Sequence, residues 1–594
     1  MISLLRRRGL YRYGLFALLL AVMFVFMIWP IMLTVRGGFT DTDGRLTLYY
    51  ILSVFRNPVM TQGLTNSLII ATGTTGLCLL ISLPLALLAT RFNFLAKAAV
   101  TSLIMVPLIL PPFVGAIGLR AILGRFGALN ALLVALGISN PSNPIDYIGG
   151  DWWPDTTPFN LIDGRLIGVI VMEVLHLYPI AYLNLTAALA NLDPTMDEAA
   201  CNVGAGPWRR FFRVTLPLIM PGLFAGATIV FIWSFTELGT PLMLDYYNVT
   251  PVQIFWGINE VESNPQPYAL VAVMFTLSML LYLLGKYAIG RRGHAMQGHA
   301  TIASSVRQLT GLRSLAALTG FVAVISLAVL PHVGVIFSAI STNGAWYRTV
   351  LPDVFSFDQF EQALSHEMTT QSIRNSLVYA LTATVGCVAI GLTISYLNIR
   401  LRIHGGWLLD SLAMLPLAVP GLVMAFGYVA MTLHWPFGSS SSLHRWFSVV
   451  GTSPNPVLLL VIAYAIRRLP YVVRSVSAGL EQTSASMEEA ALNLGASTFR
   501  TIRRIVIPLI TANLIAGAIL AFSFSMLEVS DSLILAQQQR YYPITKAIFE
   551  MFQRLGDGPH IAAALGVWGM ALLAVTMVGA TMLLGKRLGA IFRV

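Results

Sequence analysis

Asp197-Glu198-Ala199-Ala200, then Gly204, then Arg209, Arg210 and Arg213, then Leu216-Pro217: this polar stretch recurs 291 residues later as Glu488-Glu489-Ala490-Ala491, then Gly495, then Arg500, Arg503 and Arg504, then Ile507-Pro508. Each copy stands between hydrophobic segments. Asp193-Pro194 opens the first, with Asp a good N-cap and Pro tolerated at the first helical position; Thr483, Ser484 or Ser486 can serve the second. Acidic residues then fall in the first turns, where the helix dipole favours them. Gly204 and Gly495 permit a sharp reversal, a basic segment follows, and Pro217 or Pro508 is expected to begin the next apolar run. Each copy reads as two short helices joined by a glycine turn. One such loop is ordinary solvated surface. Two with the same spacing make an internal repeat with two equivalent docking points on one face of the molecule.

The flanking composition decides the medium. Of 594 residues, 56% are hydrophobic and 11% charged, and mean hydropathy is +0.75, which excludes an ordinary soluble globular protein. A bilayer-spanning helix needs about 20 mostly apolar residues. Such runs lie near 14–36, 67–90, 97–121, 166–190, 217–243 and 268–290, and again near 314–339, 376–399, 407–434, 456–478, 506–534 and 562–585. The reading is an all-α integral membrane protein with about twelve spans in two sixfold halves. The first run follows Arg6-Arg7-Arg8 like a secretory signal, but it is long and lacks a small-residue cleavage pattern, so it is read as a retained helix. An even number of spans per half makes the repeat parallel, and both loops face one compartment.

Lys and Arg fall mainly on the side of the N-terminus, the paired loops and the C-terminus, which the positive-inside rule assigns to the cytoplasm. The net charge of +11 is then accounted for by topology and anionic lipid headgroups, without nucleic acid. The first repeat is read as 1–292, with its polar loop at about 191–216. A cytoplasmic linker, 293–313, carries Arg307 and Arg313 and follows Arg291 and Arg292; the second repeat is 314–594, with its loop at about 482–507. Cys78, Cys201 and Cys387 form no disulfide or metal pattern; Cys78 and Cys387, 309 apart, read as small packing residues at equivalent positions.

The same offset of 309 relates Asn66-Ser67 to Asn375-Ser376, Pro107 to Pro416 and Pro111 to Pro420, whereas 291 relates Pro179 to Pro470 and Glu237 to Glu528. The first half thus carries 18 extra residues between its third and fourth spans, in a non-cytoplasmic stretch containing Asn143-Pro144, Asp151-Trp152-Trp153-Pro154 and Asp163. Its tryptophans suit interfacial anchors or contact with an external partner. Pro107, Pro111, Pro112, Pro416 and Pro420 are read as kinks in packing helices rather than as a cargo-lined break.

Glu-Ala-Ala, then Gly, then Leu/Ile-Pro resembles the signature of binding-protein-dependent ABC importer permeases of the type I fold. The two copies resemble a fused permease in which one chain does the work of two. The resemblance covers nearly the whole chain. It implies that each loop is a coupling helix docking into a groove on a cytoplasmic ATPase. Glu198, Ala199, Ala200, Gly204 and Pro217, with Glu489, Ala490, Ala491, Gly495 and Pro508, would transmit nucleotide-driven closure to the spans. The implied partners are two copies of the ATPase, which carry ATP and Mg, and a periplasmic or lipid-anchored substrate-binding protein. The implied location is the bacterial inner membrane. The chain has no GxxxxGK[ST] loop of its own: Gly579 to Gly585-Lys586-Arg587 fails in spacing and final residue. It also lacks HExxH, GxSxG and clustered metal ligands, so no cofactor, metal or catalytic set is expected on it.

Ionisable residues inside spans are candidates for the translocation path. Glu237 and Glu528 lie about 20 residues beyond the proline expected to begin their spans, near the external end at about 1.5 Å per residue. They are read as gate or helix-packing residues rather than cargo ligands; Asp531 has no acidic counterpart at Thr240. Arg467-Arg468 stands where the first half has His176-Leu177. Arg467 and His176 could meet across the pseudo-twofold axis and attract an anion or chelated metal, or Arg467 could instead snorkel or pair with a helix carboxylate. Glu173 is a candidate partner for His176. By resemblance, from Ser234-Phe235-Thr236-Glu237 to Pro241 and Glu528-Val529-Ser530-Asp531, the cargo is iron(III), with thiamine, a phosphonate or another small anion as alternatives. A secondary transporter driven by an ion gradient is the rival class; it gains nothing from the paired loops.

Overall fold

Several long helices start at a proline preceded by an extended residue. Asn57 caps Pro58–Arg91 by accepting a hydrogen bond from the Val59 amide at 3.0 Å, and Pro58 occupies a position whose N–H would be unpaired anyway. The computed structural model describes residues 2–108, 111–149, 164–290, 307–451 and 453–584. Among them nine helices are long and apolar enough to cross a membrane: Arg12–Gly38, Pro58–Arg91, Pro112–Ala135, Gly164–Ala190, Pro207–Phe235, Gln266–Leu283, Gly311–Ala339, Glu367–Arg400 and Gly558–Thr576. Two bent pairs, Gly406–Leu417 with Gly421–Thr432 and Thr498–Leu509 with Thr511–Met526, raise the number to as many as eleven. The remaining expected span is Val457–Gln482, a helix of 26 residues against 27 for its counterpart Gly164–Ala190. Its Arg467, Arg468 and Arg474 make it the least apolar of the set. Spans are counted below from Arg12–Gly38 as the first, with Lys97–Leu108 and Pro112–Ala135 together as the third.

Within each half the second, fourth and fifth spans pack on one another, and the first span of each half packs on the third span of the other. Gly311–Ala339 lies against Pro112–Leu123, and Trp29–Gly38 lies against Gly421–Thr432. Both crossings are backbone to backbone at matched glycines. A β-carbon on Gly118 would overlap the Pro331 carbonyl, and one on Gly427 would fall 2.9 Å from the Pro30 backbone. The Tyr428 hydroxyl adds a hydrogen bond to the Phe26 carbonyl at 2.8 Å. The halves are therefore interlocked through their first spans. Cys78 and Cys387 point at equivalent carbonyls, Val174 at 3.9 Å and Ala465 at 2.7 Å, as small packing residues in matched places.

Several expectations are corrected. The third spans are broken, not merely kinked: Lys97–Leu103 is followed by a 3-10 turn at Val106–Leu108 before Pro112–Leu123, and in the second half the two pieces meet at 106°. Proline withholds the N–H that would bridge such a break. Pro217 does not begin its span, because the helix already runs from Pro207 through a π turn at Phe211–Thr215. Pro508 likewise follows a π turn at Ile502–Val506 and precedes an 81° bend. Those π turns widen the helix where the proline would leave an i→i−4 gap. The fifth spans end at Phe235 and Met526 rather than near 243 and 534.

The seventh span begins at Gly311. Just before it, Arg307-Gln308 pairs in parallel with Phe92-Asn93, and the Leu95 amide donates to Ser314 Oγ at 3.0 Å. The second half thus starts at the loop after the second span of the first. Asp151-Trp152-Trp153-Pro154, Asp163, Arg291, Arg292 and Gly585-Lys586 lie outside the described residues.

Candidate functional site

The broken third spans and the ends of the fifth spans meet in a cavity between the halves, of about 170 Å³. Its walls include Pro111, Pro112, Pro416 and Pro420 from the breaks, Glu173 and His176 from the fourth span, Arg467 and Arg468 from the tenth, and Glu237 and Glu528. All five residues singled out as path candidates therefore face one space. Glu237 and Glu528 do not continue a span; each sits in a gap between two helices, Leu216–Phe235 and Gly239–Met243, or Thr511–Met526 and Ser530–Leu535.

The two walls differ. Glu237 Oε1 accepts from the Gly239 and Thr240 amides at 3.1 and 3.2 Å, acting as the cap of the short helix that follows. Glu528 is 4% exposed and pairs with Arg467 at 2.5 Å and with Arg468, while Arg467 also reaches the fully buried Asp531 at 3.3 Å. Arg467 thus pairs with helix carboxylates of its own half, the second of the options its sequence position left. Gly421, where the first half has Pro112, is what admits the Arg467 guanidinium, since a β-carbon there would collide with it. Glu173 Oε2 accepts from Thr74 Oγ1 at 3.3 Å and from the Ser234 hydroxyl. His176 Nδ1 donates to the Pro107 carbonyl at 2.9 Å, which ties the fourth span to the third-span break.

Asn66-Ser67 and Asn375-Ser376, legible in the sequence only as landmarks, hold the helices beyond the cavity. Ser67 Oγ accepts from the Thr250 amide at 3.0 Å, and Asn66 donates to the Asn248 carbonyl at 2.8 Å. Ser376 Oγ accepts from the Ile544 amide at 2.7 Å, and Asn375 donates to the Arg540 and Tyr542 carbonyls at 3.0 and 3.1 Å. The helices so anchored, Thr250–Gly257 and Ile544–Phe552, touch across the halves through Phe255 and Phe549. Lys546, 4% exposed, lies over both rings and pairs with Glu550 at 3.0 Å.

At the other end of the second and eighth spans stand the matched loops. Pro194–Asn202 and Pro207–Arg210 flank Gly204 at φ +81°, and Ser486–Asn493 and Thr498–Thr501 flank Gly495 at φ +87°. Both glycines hold the left-handed turn that a side chain would strain. Asp193 caps the first loop by accepting from the Thr195 amide at 2.9 Å, and its bonds to Thr195 hold its carboxyl below the usual range. Glu198, Ala199, Glu489, Ala490, Gly204 and Gly495 are exposed, with Ala200 and Ala491 half-buried.

The acid before each Glu-Ala-Ala faces inward. Glu488 pairs with Arg400 at 2.7 Å, and Asp197 lies 3.9 Å from Arg91 and 3.2 Å from Arg210. Arg91 and Arg400 are 309 apart, a repeat pair that the same offset could have disclosed. Large apolar side chains are exposed in register on the two loops: Met196 and Met487, Val203 and Leu494, Trp208 and Phe499.

Two interlocked halves around a polar cavity, with two matched loops on one face, define a transport subunit. The family of binding-protein-dependent transport system inner membrane components matches residues 82–293 and again 388–583. The chain belongs to that family, carries its domain twice and is a multi-pass inner-membrane protein. The putative ferric transport system permease protein FbpB 1 of Haemophilus influenzae is 25% identical over 522 residues, covering 87% of this chain and 77% of that one. The ferric transport system permease protein FbpB of Actinobacillus pleuropneumoniae is 24% identical over 94% of this chain and 76% of its own. The spermidine/putrescine transport system permease protein PotB of Haemophilus influenzae is 30% identical over 220 residues, 36% of this chain and 71% of that one.

Proposed function

We propose that this chain is the permease of an ATP-driven importer, moving iron(III) inward by alternating access as two separate ATPase subunits close and part. ATP and Mg bind those subunits, and cargo arrives from a substrate-binding protein on the far side. Both termini and both loops are cytoplasmic in this reading, as the distribution of Lys and Arg favours. The observation that carries it is the doubled, exposed apolar triplet on the loops. Exposed large apolar groups in matched positions mark interaction sites, and two copies call for two copies of one partner. A secondary transporter has no use for them. Ferric permeases among its long relatives support iron(III) as cargo. ATP-dependent iron(III) uptake into proteoliposomes holding this chain, its ATPase and its binding protein tests the whole reading. Stimulated ATPase activity without iron uptake would retain the importer and discard the metal.

The loop geometry predicts which changes uncouple. Trp208→Ala with Phe499→Ala is expected to lower ATPase co-purification at least about tenfold, as removal of an aromatic anchor does at an interface. Charge reversal at Glu198 or Glu489, or a bulky residue at Gly204 or Gly495, should weaken docking while the spans stay folded. Glu237→Ala should leave docking intact. Unchanged co-purification of the double aromatic variant would rule out the loops as the docking surface.

A further inference from the structure

The helices Thr250–Gly257 and Ile544–Phe552 meet between the halves on the side of the cavity away from the paired loops. Their height is read along Pro58–Arg91. Arg91 marks the loop end, Thr74 reaches Glu173 on the cavity wall, and Ser67 holds Thr250–Gly257. At about 1.5 Å per residue, Ser67 lies about 10 Å beyond Thr74, on the side opposite Arg91.

The two helices are equivalent, yet one carries a charge where the other is apolar. Ser67 and Ser376 accept from the amides of Thr250 and Ile544, so positions here are matched by an offset of 294. Phe255 and Phe549 are then counterparts, and their rings meet edge to face with centroids 6.2 Å apart. Lys546 stands where the first half has the fully buried Val252, and Glu550 where it has Trp256. Valine meets the packing demand at that place, so the buried ammonium needs another reason. Its Nζ lies 5.4 Å from the ring centre of Phe549, 5.6 Å from Tyr542 and 5.5 Å from Phe255, and pairs with Glu550. Of these partners only Phe255 belongs to the other half. The neighbouring Thr545 hydroxyl donates to the Glu528 carbonyl at 2.7 Å, which ties the lysine's helix to the cavity wall held by Arg467 and Arg468. Pro251, at the matched place, has no hydroxyl to do the same.

We propose that Lys546 is the latch of a gate between the cavity and the side opposite the loops. Its cation–π contact with Phe255 holds the two helices together, and the gate opens when Phe255 withdraws. The chemistry suits a contact that breaks in every cycle. An ion pair spanning the halves would leave two uncompensated buried charges on opening. Here Glu550, Tyr542 and Phe549 stay with the lysine, and opening gives up one ring face. Such a face shifts an equilibrium by about two- to thirtyfold, enough to keep the gate shut and little enough to be overcome. This rests on the importer reading and adds to it the residue that closes the far side.

The test places a cysteine on the cavity wall, Ser530→Cys, in the full-length chain carrying Cys201→Ser; Cys78 and Cys387 are buried. Spheroplasts are treated with a small membrane-impermeant thiol reagent, whose labelling rate reports the open fraction when opening is faster than reaction. Lys546→Met keeps the length of the side chain and releases a Glu550 that is already a third exposed. It should raise the rate at least about threefold. Phe255→Leu should raise it to a similar extent, the two together should do no more than either alone, and Lys546→Arg should stay within about twofold of the parent. Equal rates in the parent and in Lys546→Met at an unchanged melting temperature would overturn the latch, as would effects of the two substitutions that multiply. Where Lys546→Met does not fold, Phe255→Leu decides, and an unchanged rate there also overturns it. The expected rates in a protein without ATP-dependent uptake would keep the latch and remove the importer reading; uptake with unchanged rates would do the reverse.

Discussion

Glu528→Ala is expected to cost about 3–5 kcal/mol of stability, the range for breaking a buried ion pair from one side. The same change at the matched Glu237 should cost about 1 kcal/mol, the loss of a helix cap. The two glutamates occupy equivalent places in the repeat, yet they carry different loads. Removing Glu528 leaves two guanidiniums with Asp531 as their carboxylate partner; Arg468 would retain the Phe524 carbonyl at 3.1 Å and the face of the Phe524 ring. Removing Glu237 frees two backbone amides and strands no charge. Adding Arg468→Met to Glu528→Ala should recover part of the loss, because Arg467 then keeps Asp531 and the surplus cation is gone. Thermal unfolding of the purified protein in one detergent compares the three variants with wild type. Similar losses at Glu237 and Glu528, or no recovery in the double variant, would show that the network stabilises by packing and not by charge.

The repeat was legible because spacing survives where identity does not. Offsets of 291 and 309 correctly paired Glu237 with Glu528, Cys78 with Cys387 and the two loops, and the glycine turns followed from the chemistry of the left-handed region. What periodicity cannot convey is the partner of an apolar face. Nothing in Trp29–Gly38 says that it packs on Gly421–Thr432 in the other half, although Gly427 and Gly118 stand at the repeat offset and are where that crossing and its counterpart between Gly311–Ala339 and Pro112–Leu123 need the absence of a side chain. Proline within a span is compatible with a kink or a break. The choice at Pro111 and Pro420 depended on a cavity that only the assembled halves create. Arg91 and Arg400 were hidden differently, as loop charges explained by topology, and so the inward-facing acids of the loops found no partner in the sequence.

Those two arginines predict that the loops are unequal. Arg400→Ala should loosen the second loop far more than Arg91→Ala loosens the first. The Arg400 and Glu488 side chains are 11% and 6% exposed, and Arg400 also donates to the Thr483 carbonyl and hydroxyl at 2.9 and 2.8 Å. A buried, multiply bonded pair of this kind loses about 3–5 kcal/mol when one partner is removed. Arg91 and Asp197 are 37% and 28% exposed and 3.9 Å apart, and Asp197 keeps Arg210 within its own loop. Such a pair contributes about 0–1 kcal/mol. The eighth span and the second loop should therefore move as one body, whereas the first loop is tied to the second span more lightly, through Arg91 to Asp197 at 3.9 Å and to the Thr215 hydroxyl at 2.8 Å. Hydrogen exchange over 486–501 is expected to rise by more than about a hundredfold in Arg400→Ala, in line with the lost free energy at about 1.4 kcal/mol per factor of ten. Over 194–210 it should rise only a few-fold in Arg91→Ala, and ATPase binding should fall more steeply in the first variant. Matching rises in the two loops would mean that the ATPases grip two equivalent handles; unequal rises would mean that the tightly tied second loop is the one that transmits force directly to its span.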